Sequence, residues 1–310
     1  LSRSEKHSKK KMSTPKKVLL IVVSVIVVIV LGIGGSIYHN INKTSDAIYQ
    51  GIKKTDKRKD EFNVEKKEPF SILLLGVDHR PGDKGRSDSM IVLTVNPKTN
   101  TTKMVSIPRD TRTDIVGKGK VDKINHAYAF GGIQMSVNTV ENFLNIPIDY
   151  YLEVNMEGFK DIVEAVDGVD VNNDLDFTYE GVHFTKGQLH LNGTDALKFS
   201  RMRKLDKRGD FGRQLRQRQV IEAVVKKGAT ISSLTNYQSV LQAVQKNVMT
   251  NISLKDMVSI QKDYRTAAKN VTETQITGES KKIDGIWYVI VSKEEQDKVS
   301  TELRQHLELP

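Results

Sequence analysis

The chain has 310 residues, 38% of them hydrophobic and 28% charged, a globular composition that excludes a wholly disordered protein. It has no cysteine, which excludes a disulfide framework, a thiolate zinc site and a cysteine nucleophile. The net charge is +10, but residues 1–17 hold seven Lys/Arg against Glu5 alone and so carry +6 of it. The excess belongs mostly to a tail and is not the footprint of a nucleic-acid-binding domain.

In chain order, residues 1–17 read as a basic cytoplasmic tail. Residues 18–38, VLLIVVSVIVVIVLGIGGSIY, carry no charge, and as a helix rising about 1.5 Å per residue they reach roughly 31 Å, enough to cross a bilayer. The run is longer than a signal-peptide core and no A-x-A-like site follows, so the reading is a retained anchor. The preceding lysines place the N-terminus in the cytoplasm and the remainder outside the cell. Residues 39–69 are polar, rich in Lys, Asp and Glu, and read as a juxtamembrane stalk. Residues 70–310 then form the extracellular domain.

Within that domain, Ser71–Val77, Met90–Asn96 and Thr102–Ile107 are apolar runs of strand length, the last two joined by the turn residues NPKTNT. Helical patterns cover His126–Asn145, Met156–Val166, Thr194–Arg203, Phe211–Lys227, Ser232–Asn247, Leu254–Asn270 and the C-terminus, with strands at Tyr150–Asn155, Gly168–Asn172 and Trp287–Val291. Strands interleaved with helices predict a single α/β domain of αβα type, a central mixed sheet flanked by helices.

Polar residues gather where strands end. Asp78 follows the first strand, Arg86 and Asp88 precede the second, and Arg109 and Asp110 follow the third. Loops at strand ends of α/β sheets are where ligands bind. A second cluster, RMRKLDKRGDFGRQLRQRQ, contributes Arg201, Arg203, Arg208, Arg213, Arg216 and Arg218. Arg213 and Gln217 share one helix face, and guanidinium forks match phosphate oxygens. The nearby carboxylates would repel a diphosphate unless a cation intervened, and Mg²⁺ is the ion proteins hold with one or two carboxylates plus substrate phosphates. His79, His126, His183 and His190 lie apart without metal-ligand spacing.

Six ordered blocks, ILLLGVDHR, GRSDSMIVLTVNP, MVSIPRDT, KINHAYAFGG, NGTDALKFSRMR and GDFGRQLRQRQV, resemble the LytR-CpsA-Psr (LCP) family of bacterial cell-wall proteins over about residues 70–227. The resemblance implies an αβα domain that binds a polyprenyl diphosphate with Mg²⁺. It implies transfer of a glycopolymer, wall teichoic acid or capsular polysaccharide, from undecaprenyl diphosphate to the C6 hydroxyl of peptidoglycan N-acetylmuramic acid, forming a phosphodiester. It carries over Asp78 and Asp88 as magnesium-associated carboxylates and, with Arg109, as the catalytic group. Arg86, Lys123, Arg201, Arg203, Arg213 and Gln217 are carried over as the diphosphate-binding set. Asp78, Asp88 and Asp110 are all candidates for the base, and Val220, Ile221 and Val224 suggest one wall of a lipid groove.

Three other functions fit parts of this pattern. A polyprenyl-diphosphate pyrophosphatase would use the same site with water as acceptor. A non-catalytic binding module would keep the arginines without needing the Asp78/Asp88 pair. A transcriptional attenuator finds no helix-turn-helix pattern, and no nucleic-acid partner is expected.

Overall fold

A computed structural model describes residues 46–53, 57–58, 62–78, 85–229 and 247–310. The expected membrane span at 18–38, the basic tail and nearly all of the helix expected at Ser232–Asn247 lie outside these residues. Among the described residues no helix is long and apolar enough to cross a membrane.

The three apolar runs become β1 (Phe70–Asp78), β2 (Arg86–Asn96) and β3 (Thr101–Ser106), paired as consecutive antiparallel neighbours. Around them the sheet extends to β6 (Tyr150–Asn155), parallel to β1, and β11 (Val248–Thr250), antiparallel to β6. On the other side β12 (Val271–Gln275) runs parallel to β3. The strand order is β11-β6-β1-β2-β3-β12, a mixed sheet of six strands.

Alternation along the strands sends side chains to two cores. Leu73, Leu75 and Val77 of β1 and Met90 and Val92 of β2 pack with Val137, Val140 and Phe143 of α1 (His126–Leu144) and Val299 and Leu303 of α6 (Lys293–His306). Ile91, Leu93 and Met104 face the opposite side, where Ile221 of α4 (Asp210–Gly228) covers them. A smaller core joins α2 (Met156–Ala165), α3 (Gly193–Arg201) and α4 to the short strands β7 (Val169–Asn173), β8 (Phe177–Tyr179), β9 (Val182–Phe184) and β10 (Gly187–Leu191). The αβα expectation is met: helices lie on both faces of the sheet.

Local chemistry sets the element ends. Asn192 caps α3 by accepting from Asp195 N at 2.8 Å, and Ser292 caps α6 by accepting from Glu295 N at 3.2 Å. Helix α1 is interrupted at Gly131–Gly132, where Gly132 takes φ 63°, a conformation open to glycine. The expected helix at Leu254–Asn270 stops early: α5 spans Leu254–Asp263, and a single 3₁₀ turn follows at Ala267–Lys269. The strand expected at Gly168–Asn172 is β7, and that at Trp287–Val291 is β14 (Ile286–Ile290), which pairs with β13 (Glu279–Ile283).

The segment 39–69, read as a stalk, packs onto the domain where it is described. Ile48 is buried, Gln50 N donates to Thr250 O at 2.7 Å, and Phe62 and Val64 join Phe70, Tyr150 and Tyr264 in a hydrophobic cluster. Arg58 pairs with Asp149 at 2.9 Å.

The C-terminal end of α6 is fastened to the β2–β3 hairpin by His306, whose Nδ1 lies 2.7 Å from Thr94 Oγ1 and whose Nε2 lies 2.9 Å from Thr101 Oγ1. Burial, helped by nearby Lys103, lowers the imidazole to about 4 from its ordinary 6.5. The folded protein therefore holds His306 neutral where the unfolded chain takes up a proton. The contribution is flat above the unfolded value, and stability falls as pH drops from about 6.5 to about 4. Urea titrations across this range are expected to show a loss on the order of 3 kcal/mol that His306→Gln removes. An unchanged pH profile in that variant would assign the loss elsewhere.

Candidate functional site

The site forms at the ends of β1, β2 and β3. Gly76 pairs with Ser89 and Val77 with Ser87, so Asp88 is the extra residue of a β-bulge. A bulge bends its strand and re-aims the side chain it carries. Here that side chain meets Arg109, just beyond β3: Arg109 Nη1 donates to Asp88 Oδ1 at 2.7 Å. Arg109 Nε lies 3.8 Å from Asp110 Oδ2, too far for a hydrogen bond. Lys123, at the end of β5 (Lys120–Lys123), donates from Nζ to Asp110 Oδ1 at 2.7 Å.

Helix α4 crosses the same strand ends. Arg213 Nη2 approaches Asp88 O at 3.4 Å and pairs with Asp210 Oδ1 at 2.7 Å. One turn on, Gln217 Oε1 accepts from Ser89 Oγ at 3.1 Å. Arg213 and Gln217 thus share the helix face that their spacing predicts.

The electrostatics favour an incoming anion. Burial lowers the Arg213 guanidinium below its ordinary range, with Arg109 and Arg203 adding to the effect and Asp210 and Asp88 opposing it. For Arg109 burial also disfavours the charge, yet Asp88, Asp110 and Asp210 together raise it. Several buried polar atoms without a hydrogen-bond partner among the described residues collect here, including Ser87 Oγ, Arg109 Nε, Thr111 Oγ1 and Arg213 Nε. Such atoms are rare in folded proteins and mark places where a ligand can supply the missing partner.

The structure therefore brings together Asp88, Arg109, Asp110, Lys123, Arg213 and Gln217. Asp78 closes β1 opposite the exposed Arg86, on the strand beside Asp88. Arg203 is exposed and near enough for its charge to bear on Arg213. Arg201, the last residue of α3, bears instead on Tyr179, and no bond from it to the cluster is found among the described residues. The suggested groove wall is core: Val220 and Val224 pack in the smaller core and Ile221 against β2 and β3.

Sequence reasoning missed Ser89, Asp210 and the support beneath the arginine-rich segment. Arg216 is wholly buried, donating to Asp206 Oδ2 at 2.7 Å, Met202 O at 2.6 Å and Phe199 O at 3.2 Å. Asp206 also accepts from Arg208 Nη2 at 2.9 Å. Burial alone would raise the Asp206 carboxyl, but bonds from Arg208 and Arg216 hold it well below the usual carboxylate range. A side chain at Gly212 would put its Cβ 1.9 Å from Asp206 Oδ2, so glycine is required for this approach. These contacts fold residues 202–209 onto α4 and fix where Arg203 and Arg213 sit.

Fold and site together define an α/β protein with an arginine-lined anion site at its strand ends. Residues 35–305 match the LytR_cpsA_psr family. A polyisoprenyl-teichoic acid–peptidoglycan teichoic acid transferase TagU of Bacillus cereus is 57% identical over 288 residues, spanning 90% of this chain and 95% of that relative. The crystal structure of B. subtilis TagU superposes with a TM-score of 0.65 at 48% identity, over 79% of this chain and 99% of that one. A LytR-CPS2A-psr family protein, YwtF (TagT), with bound octaprenyl pyrophosphate lipid, gives a TM-score of 0.66 at 32% identity, over 83% and 97%. The chain belongs to the LytR-CpsA-Psr family. It is an enzyme, a transferase.

Truncating Asp206 leaves the Arg216 charge buried and unpaired. Asp206→Ala is expected to cost about 3–5 kcal/mol in urea unfolding. An apolar pair, Asp206→Leu with Arg216→Met, should recover much of that loss. Equal stability of Asp206→Ala and the unsubstituted protein would show the pair to be dispensable.

Proposed function

We propose that the protein transfers an anionic glycopolymer, wall teichoic acid in the first place, from undecaprenyl diphosphate to the C6 hydroxyl of N-acetylmuramic acid in peptidoglycan. The single observation that carries this reading is the cluster of Asp88, Arg109, Lys123 and Arg213 at adjoining strand ends, with buried guanidinium Nε atoms of Arg109 and Arg213 that have no hydrogen-bond partner among the described residues. The relatives' names and the octaprenyl pyrophosphate in the YwtF structure support it.

In this reading the acceptor oxygen attacks the glycan-bearing phosphorus, the bond from that phosphorus to the lipid-phosphate oxygen breaks, and a phosphodiester forms as lipid phosphate departs. Arg109 and Arg213, with Arg86, Arg203 and Lys123 around them, hold the diphosphate and stabilise the charge that develops on the leaving oxygen. Asp78, Asp88 and Asp110 are the carboxylates available to take the acceptor proton.

Among the described residues no group of three or more His, Asp or Glu side chains is placed to hold a metal unaided. Asp78 and Asp88, on neighbouring strands, are the carboxylates that would hold such an ion together with the diphosphate. Bound there with the diphosphate, magnesium would supply charge neutralisation. In the same reading residues 18–38 cross the cell membrane and the domain faces outward, where the lipid-linked donor and the peptidoglycan meet.

The test is transfer by the full-length protein from a synthetic polyprenyl-diphosphate-linked glycan to peptidoglycan oligomers. Arg109→Ala is expected to lower kcat/KM by at least about 100-fold while leaving the thermal midpoint in place, and chelation of magnesium to stop turnover. Release of lipid phosphate without coupling to peptidoglycan would replace the transferase reading with the pyrophosphatase one.

A further inference from the structure

The C-terminal hairpin β13–β14 reaches the site from outside the segment that carries the sequence motifs. Strand β14 is pinned beside β4 (Arg112–Ile115) by a parallel bridge between Thr111 and Val289, and Val289 N donates to Asp110 O at 2.9 Å. In a parallel pairing the residues one step before and after the bridge share a face. Tyr288 therefore lies on the face of Asp110 and Arg112. Across the β4–β5 hairpin Arg112 is paired with Lys123, which puts Lys123 on that face as well.

The side chains agree. The Tyr288 ring centroid is 5.8 Å from Lys123 Nζ and 5.9 Å from Arg112 Cζ. Lys123 is in turn the cation bonded to Asp110. The ring is half-buried, Arg112 is exposed, and no hydrogen bond of the Tyr288 hydroxyl or the Arg112 guanidinium is found among the described residues. An aromatic ring with the exposed Arg112 guanidinium against it and a phenolic hydroxyl at its rim is suited to a pyranose: the sugar's C–H groups pack on the aromatic ring and its hydroxyls meet the guanidinium and the phenol.

We propose that Tyr288 and Arg112 form a glycan subsite, seating a sugar ring next to the diphosphate position on the Lys123 side of the site. The proposal rests on the transferase reading above. The sugar belongs either to the donor glycan or to the peptidoglycan acceptor, and the two are separated by which KM moves.

The experiment measures, for the full-length protein, KM for the donor, KM for the peptidoglycan oligomer, and calorimetric affinity for glycan-free octaprenyl diphosphate. Tyr288→Ala and Arg112→Ala are each expected to raise one glycan KM roughly three- to tenfold, with kcat and the octaprenyl diphosphate affinity unchanged. Tyr288→Phe keeps the ring and should restore most of the loss. Trp287, one residue earlier, points to the opposite face and is 59% exposed, so Trp287→Ala should change neither KM. A rise in the donor KM assigns the sugar to the donor, and a rise in the acceptor KM assigns it to peptidoglycan. Unchanged KM values in both Ala variants, or an equal loss of affinity for the glycan-free lipid, would overturn the subsite. Because Arg112 is exposed, its variant decides the matter if Tyr288→Ala does not fold. Failure of the unsubstituted protein to bind octaprenyl diphosphate would instead remove the transferase reading on which the proposal rests.

Discussion

The buried ion pair between Arg216 and Asp206 is the interaction on which the arrangement of the site depends. Arg216 is among the largest wholly buried side chains, and it is tolerated there because Asp206 and two backbone carbonyls accept its protons. The pair pulls the 202–209 loop against α4, which brings Arg203 and Arg213 to the same end of the sheet. With that loop fixed, the bulged start of β2 and the end of β3 can meet the helix in one place.

A cationic site carries its own cost, since like charges brought together without a ligand repel one another. The protein meets this by giving each inner cation a carboxylate: Asp88 for Arg109, Asp110 for Lys123, Asp210 for Arg213. The carboxylates hold the cations in place before a ligand arrives, and they are themselves groups that a metal–diphosphate complex can engage. Among the described residues the Nε atoms of Arg109 and Arg213 find no hydrogen-bond partner inside this network, a preorganised deficit of acceptors that a phosphate oxygen can fill.

The strands that build the site were legible because Met90–Asn96 is buried on both faces and Ser71–Val77 is buried on one and half-buried on the other, so both read as apolar runs. The Arg213–Gln217 face was legible because helical spacing alone determines it. The sorting of the arginines was not. Arg213, Arg216 and Arg218 stand at comparable positions in one segment, yet Arg216 serves the loop beneath the site and Arg218 binds Glu273 and Ser106. On α4 the buried side chains include Gln214, Arg216 and Arg218 while Leu215 is only half-buried, so a hydrophobic stripe cannot trace the packed face. The short strands β4, β5 and β8 to β11, of three to five residues, are too brief to show a period of two. Tyr288 was invisible for another reason: a contact from so far along the chain exists only once the sheet is assembled.

The bulge at Asp88 sets the strand's own regularity against its chemistry. Because Asp88 stands outside the two-residue alternation, a β2 lacking it would be the more uniform strand, with Ser87 and Ser89 brought into an unbroken ladder with β1. That smoother version would be favoured by selection for folding alone, and it would have no carboxylate aimed at Arg109. The irregularity thus records a compromise in which ladder perfection is surrendered at one residue so that the end of a central strand can present charge at a defined angle. Stabilising substitutions chosen for strand propensity near residue 88 would be expected to trade against activity in the same way.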